Sequence, residues 1–167
     1  MGDVYDTHMS QFIPPTLFHT AGGTWTSVAG AVTGTIARNI AAADQTVLVN
    51  IPVVIPSNSS GLKGGYLKSI EIDYEITEAD CDALTAVINK VTRGAEGAVA
   101  VVAAQTFTQT PTTAVALAVD QHRLVLTLAT PIWIDNDVYV LVEVTVNQAL
   151  TTVVQFLAAV ANFDLRL

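Results

Sequence analysis

The sequence predicts an all-β domain, a sandwich or barrel of antiparallel strands, and three observations carry the prediction. From Tyr66 to Thr77 the chain alternates: Tyr66, Ile70, Ile72, Tyr74 and Ile76 fall on one face, and Ser69, Glu71, Asp73, Glu75 and Thr77 on the other. A period of two is the mark of a strand with one face in a core and one in water. The same period recurs from Asp137 to Asn147, where Val138, Val140, Val142, Val144 and Val146 share a face; β-branched side chains suit a pleated surface. Turn-forming clusters lie between the apolar runs at regular spacing, with no repeated helical pattern, which is the signature of a sandwich or barrel.

The other strands follow in order. Val47 to Ile55 is almost wholly apolar and is expected to be covered on both faces. His122 to Pro131 puts Leu124, Leu126 and Leu128 on one face, and at the C-terminus Phe163, Leu165 and Leu167 oppose Asp164 and Arg166. Turns are expected at Pro56 to Gly61, Gly64-Gly65, Arg93-Gly94 to Gly97, Thr110-Pro111, Asp120-Gln121, Asp135-Asn136 and Asn147 to Thr151. Residues 78–91 can be read two ways. Thr77-Glu78-Ala79-Asp80 resembles a helix capping box, yet Thr85, Val87, Ile88 and Val91 are β-branched, so an acidic turn followed by a strand is preferred. Residues 98–104 mix alanines with valines and leave helix and strand both open.

Residues 1–23 differ from the rest and are read as an N-terminal arm, with the sandwich domain at 24–167. Pro14-Pro15 favours an extended path, and Tyr5, Phe12, Ile13, Leu17 and Phe18 follow no steady period. Disordered tails are poor in aromatic residues. This segment is therefore expected to dock, and Tyr5, Phe12, Ile13, Pro14, Pro15, Leu17 and Phe18 are its expected contacts with a neighbouring subunit.

Composition excludes several function classes. Of 167 residues, 51% are apolar and only 13% charged, against about 25% charged in an average soluble domain. The uncharged stretch from Gly97 to Val119 carries too many threonines and glutamines for a membrane-spanning helix. The surplus of apolar residues is read instead as surface covered by partners. The net charge of −8 and seven scattered basic residues give no basic face for nucleic acid. The N-terminus lacks the basic and apolar regions of a secretory signal. The single cysteine, Cys81, allows no internal disulfide.

No catalytic or cofactor signature emerges. His8, His19 and His122 are far apart in sequence, no nucleophile elbow or phosphate loop is present, and no pair of histidines or cysteines has zinc-ligand spacing. The chain is read as a non-enzyme without cofactor. The acidic groups Glu78, Asp80, Asp82 and Asp135-Asn136-Asp137 read as solvated turns, with calcium as the ion whose ligand chemistry they match.

A family resemblance enters through the order of Trp25-Thr26, Asn50-Ile51-Pro52, Gly61-Leu62-Lys63, Leu67 to Tyr74, Asn89-Lys90-Val91, Pro131-Ile132-Trp133 and Tyr139. Over residues 25–167 this resembles small jelly-roll-like β-sandwich proteins among the structural genes of tailed bacteriophages. The resemblance implies a jelly-roll-like antiparallel sandwich on a virion surface, as a head-decoration or fibre subunit, assembled with itself, as a trimer by preference, and with other virion proteins. Two alternatives stand beside it. One is a carbohydrate-binding module, with Trp25, Trp133 or Tyr139 as the sugar-stacking surface. The other is a subunit of an extracellular filament or tube.

Overall fold

A computed structural model describes residues 6–27, 35–38, 43–54, 64–98 and 100–166. They form two antiparallel sheets packed face to face, the jelly-roll-like sandwich that was expected. In chain order the strands are β1 (Asp6–Ile13), β2 (His19–Ala21), β3 (Trp25–Ser27), β4 (Thr35–Arg38), β5 (Gln45–Val53), β6 (Gly65–Thr77), β7 (Cys81–Thr92), β8 (Val101–Gln105), β9 (Phe107–Thr110), β10 (Asp120–Ile134), β11 (Val138–Gln148) and β12 (Val153–Arg166). A single helical turn, Thr113–Ala116, precedes β10. The first sheet runs β3-β4-β12-β6-β10-β9, with β1 added alongside β12; the second runs β2-β5-β11-β7-β8.

The core lies where the two inner faces meet. Ile70, Ile72, Tyr74 and Ile76 of β6 pack with Leu124 and Leu126 of β10 and Phe156, Ala161 and Phe163 of β12. From the other sheet come Val47, Val49, Ile51 and Val53 of β5, Ile88 of β7, and Val140, Val142, Val144 and Val146 of β11. The alternation seen in the sequence is therefore the alternation of core and solvent. The acidic segment before β7 is a turn, with Glu78 at a positive φ of 72°, and the strand preferred over a helix there is β7. The ambiguous 98–104 segment supplies the edge strand β8.

Three expectations are corrected. The run from Val47 to Val53 is not covered on both faces: its odd-numbered residues are buried, while Leu48, Asn50 and Pro52 point outward; Ile55 lies outside the described residues. Tyr66 does not share the face of Ile70. The pairing of β6 with β12 slips between Leu67 and Ser69, leaving Lys68 as an extra residue, while against β10 the same step of β6 faces the surplus residues 128–131 of β10. Such a bulge turns every side chain on one side of it to the opposite face, so Leu67 enters the core and Tyr66 faces solvent. The third correction concerns the N-terminal segment. It is extended, but it forms strands of its own sandwich: β1 pairs with β12 from Asp6↔Arg166 to Ile13↔Ala159, and β2 pairs with β5. Ile13, Pro15 and Phe18, read as contacts with a neighbour, are buried in their own domain. Pro14 is half-buried, Phe12 and Leu17 are exposed, and Tyr5 lies outside the described residues.

Two ionisable groups are sealed in this core. Burial first, then the carboxylates of Asp82 and Asp80, pushes the Cys81 thiol from 9.0 up to about 12. Burial likewise raises the Tyr74 hydroxyl, which donates to the Ala116 carbonyl oxygen at 2.7 Å. The unfolded chain releases the thiol proton near about 8.5, whereas the folded chain holds it. Their contribution is thus fully present below that value and is lost as pH rises toward 12. Thermal melts from pH 7 to 11 are expected to show a midpoint that falls above about pH 9, and less steeply in Cys81→Ala. An equal fall in both proteins would remove Cys81 from the explanation.

Candidate binding face of the first sheet

The outward face of the first sheet gathers most of the hydrogen bonds and ion pairs between side chains of the described residues. The pairing registers place His8 of β1, Asp164 of β12, Tyr66 of β6 and Trp133 of β10 in one row across four strands. At about 4.8 Å per strand the row is about 14 Å long. At one end the rings of Tyr66 and Trp133 meet edge to face, with centroids 4.9 Å apart and planes at 62°. Tyr66 is 38% exposed and Trp133 is half-buried. At the other end Asp164 is ion-paired with both Lys68 and His8. The Lys68 ammonium, helped by His8, holds the Asp164 carboxyl below the usual carboxylate range, against the opposing effect of its burial.

The aromatic pair is braced from both sides. The Trp133 indole N–H donates to Asp135 Oδ2 at 3.3 Å, while Asp135 Oδ1 accepts from the Asp137 backbone N–H at 3.1 Å. The expected acidic turn is therefore a clamp on the ring. Beneath it Gly64 sits at φ +128°, where an added Cβ would lie 2.6 Å from the Ile134 carbonyl oxygen and 2.7 Å from Trp133 Cζ2. Gly64→Ala is expected to cost roughly 1–3 kcal/mol through backbone strain and to displace the indole. A lowered melting midpoint together with a changed near-ultraviolet tryptophan signal checks this; an unchanged signal would show that Gly64 does not seat the ring.

The next row is a ladder of hydroxyls and amides. Ser10 Oγ donates to Asn162 Oδ1 at 2.6 Å, and Asn162 Nδ2 donates to Glu71 Oε1 at 2.9 Å and to Ser69 Oγ at 3.3 Å. Thr127 and Thr108 continue the row through β10 and β9. Beyond it Phe12, 62% exposed, lies opposite Val160 and in line with Glu71 and Val125. Phe12 is thus an exposed ring on this face. At the far end Arg123 grips Asp73 through two nitrogens at 2.7 and 3.1 Å, beside a shallow cavity of about 460 Å³. His122, at the same end, shares a 2.7 Å hydrogen bond through Nε2 with the Ala118 carbonyl oxygen and lies against Tyr74.

The three residues proposed from sequence as a sugar-stacking surface part company. Only Trp133 stands on this face. Trp25 donates its indole N–H to the Gly22 carbonyl oxygen at 2.6 Å and leans on Phe156 at the core margin. Tyr139, 42% exposed, belongs to β11 and so to the opposite sheet. Tyr66, His8, Lys68 and Asp164 were not recognised as site residues in the sequence, because only the strand register brings them together.

Neither a protein-family model nor a curated protein sequence matches the chain. Among solved structures it is similar to the carbohydrate-binding module TmCBM61 in complex with β-1,4-galactotriose, with 5% identity, TM-score 0.47 and 89% of each chain covered. A second similar structure comes from work on promiscuous carbohydrate-binding modules of the β-sandwich superfamily, with 10% identity, TM-score 0.36, and coverage of 90% of this chain and 55% of that one. A third is the enzymatically active domain of bacteriophage CBA120 tailspike protein 4, with 4% identity, TM-score 0.35, and coverage of 92% of this chain and 19% of that one. At such identities the likeness is one of fold. The expectation of a virion structural subunit is corrected: the first two solved structures named are carbohydrate-binding modules, and a likeness of this depth assigns no role to the chain.

Proposed function

We propose that this chain is a carbohydrate-binding module that holds a glycan across the outward face of the first sheet and leaves it chemically unchanged. The observation that carries the reading is the Tyr66–Trp133 pair, held by Gly64 and Asp135 at the end of a row of hydrogen-bonding side chains. A sugar ring has an apolar face of C–H groups and a rim of hydroxyls. The aromatic pair offers a surface for the first, and Asp164, Lys68, Asn162, Ser10 and Thr127 offer donors and acceptors for the second. Placing these groups on strands fixes their spacing before the ligand arrives, which lowers the ordering cost of binding.

The test is a glycan array followed by binding isotherms on a panel of soluble galacto-, gluco-, manno- and xylo-oligosaccharides, β-1,4-galactotriose among them. Reproducible binding that depends on Tyr66 or Trp133 is the expected result; no binding to any glycan would reject the reading. Phe12→Ala is expected to weaken binding about threefold to tenfold without changing the melting midpoint, because that ring is exposed and sits at the margin of the face. An unchanged affinity would confine the site to the Tyr66–Trp133 end.

A further inference from the structure

The second sheet carries a polar row that the site above does not use. The pairings of β2, β5 and β11 set His19, Asn50 and Glu143 side by side on the outward face. At about 4.8 Å per strand they span about 10 Å. The middle residue is the informative one. Asn50 Oδ1 is buried from solvent and has no hydrogen-bond partner among the described residues. A buried acceptor left without a donor carries its desolvation cost unrepaid, so a donor supplied by a ligand would relieve it. The ion pairs among the described residues lie on the first sheet, between His8, Lys68 and Asp164 and between Arg123 and its acidic neighbours. The Glu143 carboxylate is therefore without one among the described residues.

The neighbouring rows on the same face mix apolar and polar side chains, and β7 continues them with Asn89 and Thr85. Leu141 stands opposite Pro52 on one side, and Thr145 opposite Leu48 on the other. Tyr139 lies further along β11 and is exposed. On the outward face of the first sheet Ser10, Asn162, Ser69 and Glu71 hydrogen-bond one another, and on the inward side of that sheet Gln11 Oε1 and Gln109 Nε2 are without a partner among the described residues.

We infer that the His19–Asn50–Glu143 row is a second glycan subsite, facing away from the first and making the domain bivalent. This rests on the carbohydrate-binding reading proposed above. One sugar hydroxyl would donate to the Glu143 carboxylate, and its neighbour to Asn50 Oδ1 once the half-buried Asn50 side chain turns that oxygen outward. The next would meet the His19 ring, while Pro52 and Leu141 take the C–H face. Because the two sheets stand back to back, the subsites point in opposite directions, and one domain can hold two separate glycan chains. Two such sites give avidity on a polymer without any new contact.

The experiment is titration calorimetry of the full chain with β-1,4-galactotriose and the other soluble oligosaccharides of the panel. It is run on the wild type, Trp133→Ala, the pair Asn50→Ala with Glu143→Gln, and the combination of all three. Thermal melts confirm that each protein is folded. Two equivalents bound by the wild type, one by each single-face variant and none by the combination is the expected pattern. The wild type should also precipitate the matching soluble polysaccharide, and neither single-face variant should. A wild type that binds one equivalent, lost with Trp133→Ala and untouched by Asn50→Ala with Glu143→Gln, would overturn the second subsite and leave the first standing. No binding by the wild type would overturn both.

Discussion

Replacing Trp133 by alanine is expected to lower glycan affinity at the first sheet about thirtyfold while the domain stays folded. A central aromatic anchor of a binding surface is worth about 2 kcal/mol or more on truncation, and each 1.4 kcal/mol is a factor of about ten. Two losses add. The ligand loses the indole as a stacking surface, and Tyr66 loses the edge-to-face partner that fixes its ring at 4.9 Å. The fold should tolerate the change because Trp133 is half-buried on the outward side of β10, while its neighbours Ile132 and Ile134 carry the inward packing. Tyr66→Phe should retain most of the affinity, since it keeps the ring and removes only the hydroxyl. Isothermal titration of the three proteins, with circular dichroism to confirm the fold, checks the prediction. Equal affinity in Trp133→Ala and the wild type would move the site off this face.

Deleting residues 1–20 is expected to abolish folding rather than yield a trimmed but intact domain. The deletion removes β1, which pairs with β12 over eight residues, and takes Ile13 and Phe18 out of the core. Each of these side chains contributes roughly 1.5–3 kcal/mol by burial, so the two together approach the lower end of the 5–15 kcal/mol by which domains are typically stable, about 5 kcal/mol. The long edge of β12 would also lose its cover, and an uncovered apolar edge invites aggregation. Insoluble or non-cooperatively melting protein is the expected outcome. A soluble truncation that melts near the midpoint of the full chain would restore the picture of a detachable arm.

The strands of the core were legible because their side chains obey the period that burial imposes. In β6 and β11 nearly every inward position is Ile, Leu, Val or Tyr and most outward ones are polar. Strand β1 breaks that rule. Its inward positions are Met9, Gln11 and Ile13, and its outward ones are His8, Ser10 and Phe12. A glutamine on the core side and a phenylalanine on the solvent side erase the signal, so the segment looked aperiodic. In β6 one bulged residue, Lys68, sufficed to send Tyr66 to the other face, and no local pattern announces a bulge.

The candidate site was legible only in fragments. Trp133 and Tyr139 stood out as aromatic residues suited to stacking, yet they serve opposite sheets. Trp133 finds its partner in Tyr66 through the pairing of β10 with β6, and Asp164 joins through β12. His19, Asn50 and Glu143 come from three strands. Sequence displays neighbours along the chain, whereas a sheet surface is made of neighbours across it.

The measurement that bears most directly on the carbohydrate-binding reading uses the two tryptophans of the chain. Each gives one indole N–H resonance, assigned by Trp25→Phe and Trp133→Phe. Trp133 faces the proposed ligand, whereas the Trp25 N–H is committed to the Gly22 carbonyl at the core margin. Titration with the oligosaccharides of the panel is predicted to shift the Trp133 resonance in a saturable way and to leave that of Trp25 in place. If neither resonance moves with any oligosaccharide, or if Trp25 alone responds, the outward face of the first sheet is not a glycan-binding surface.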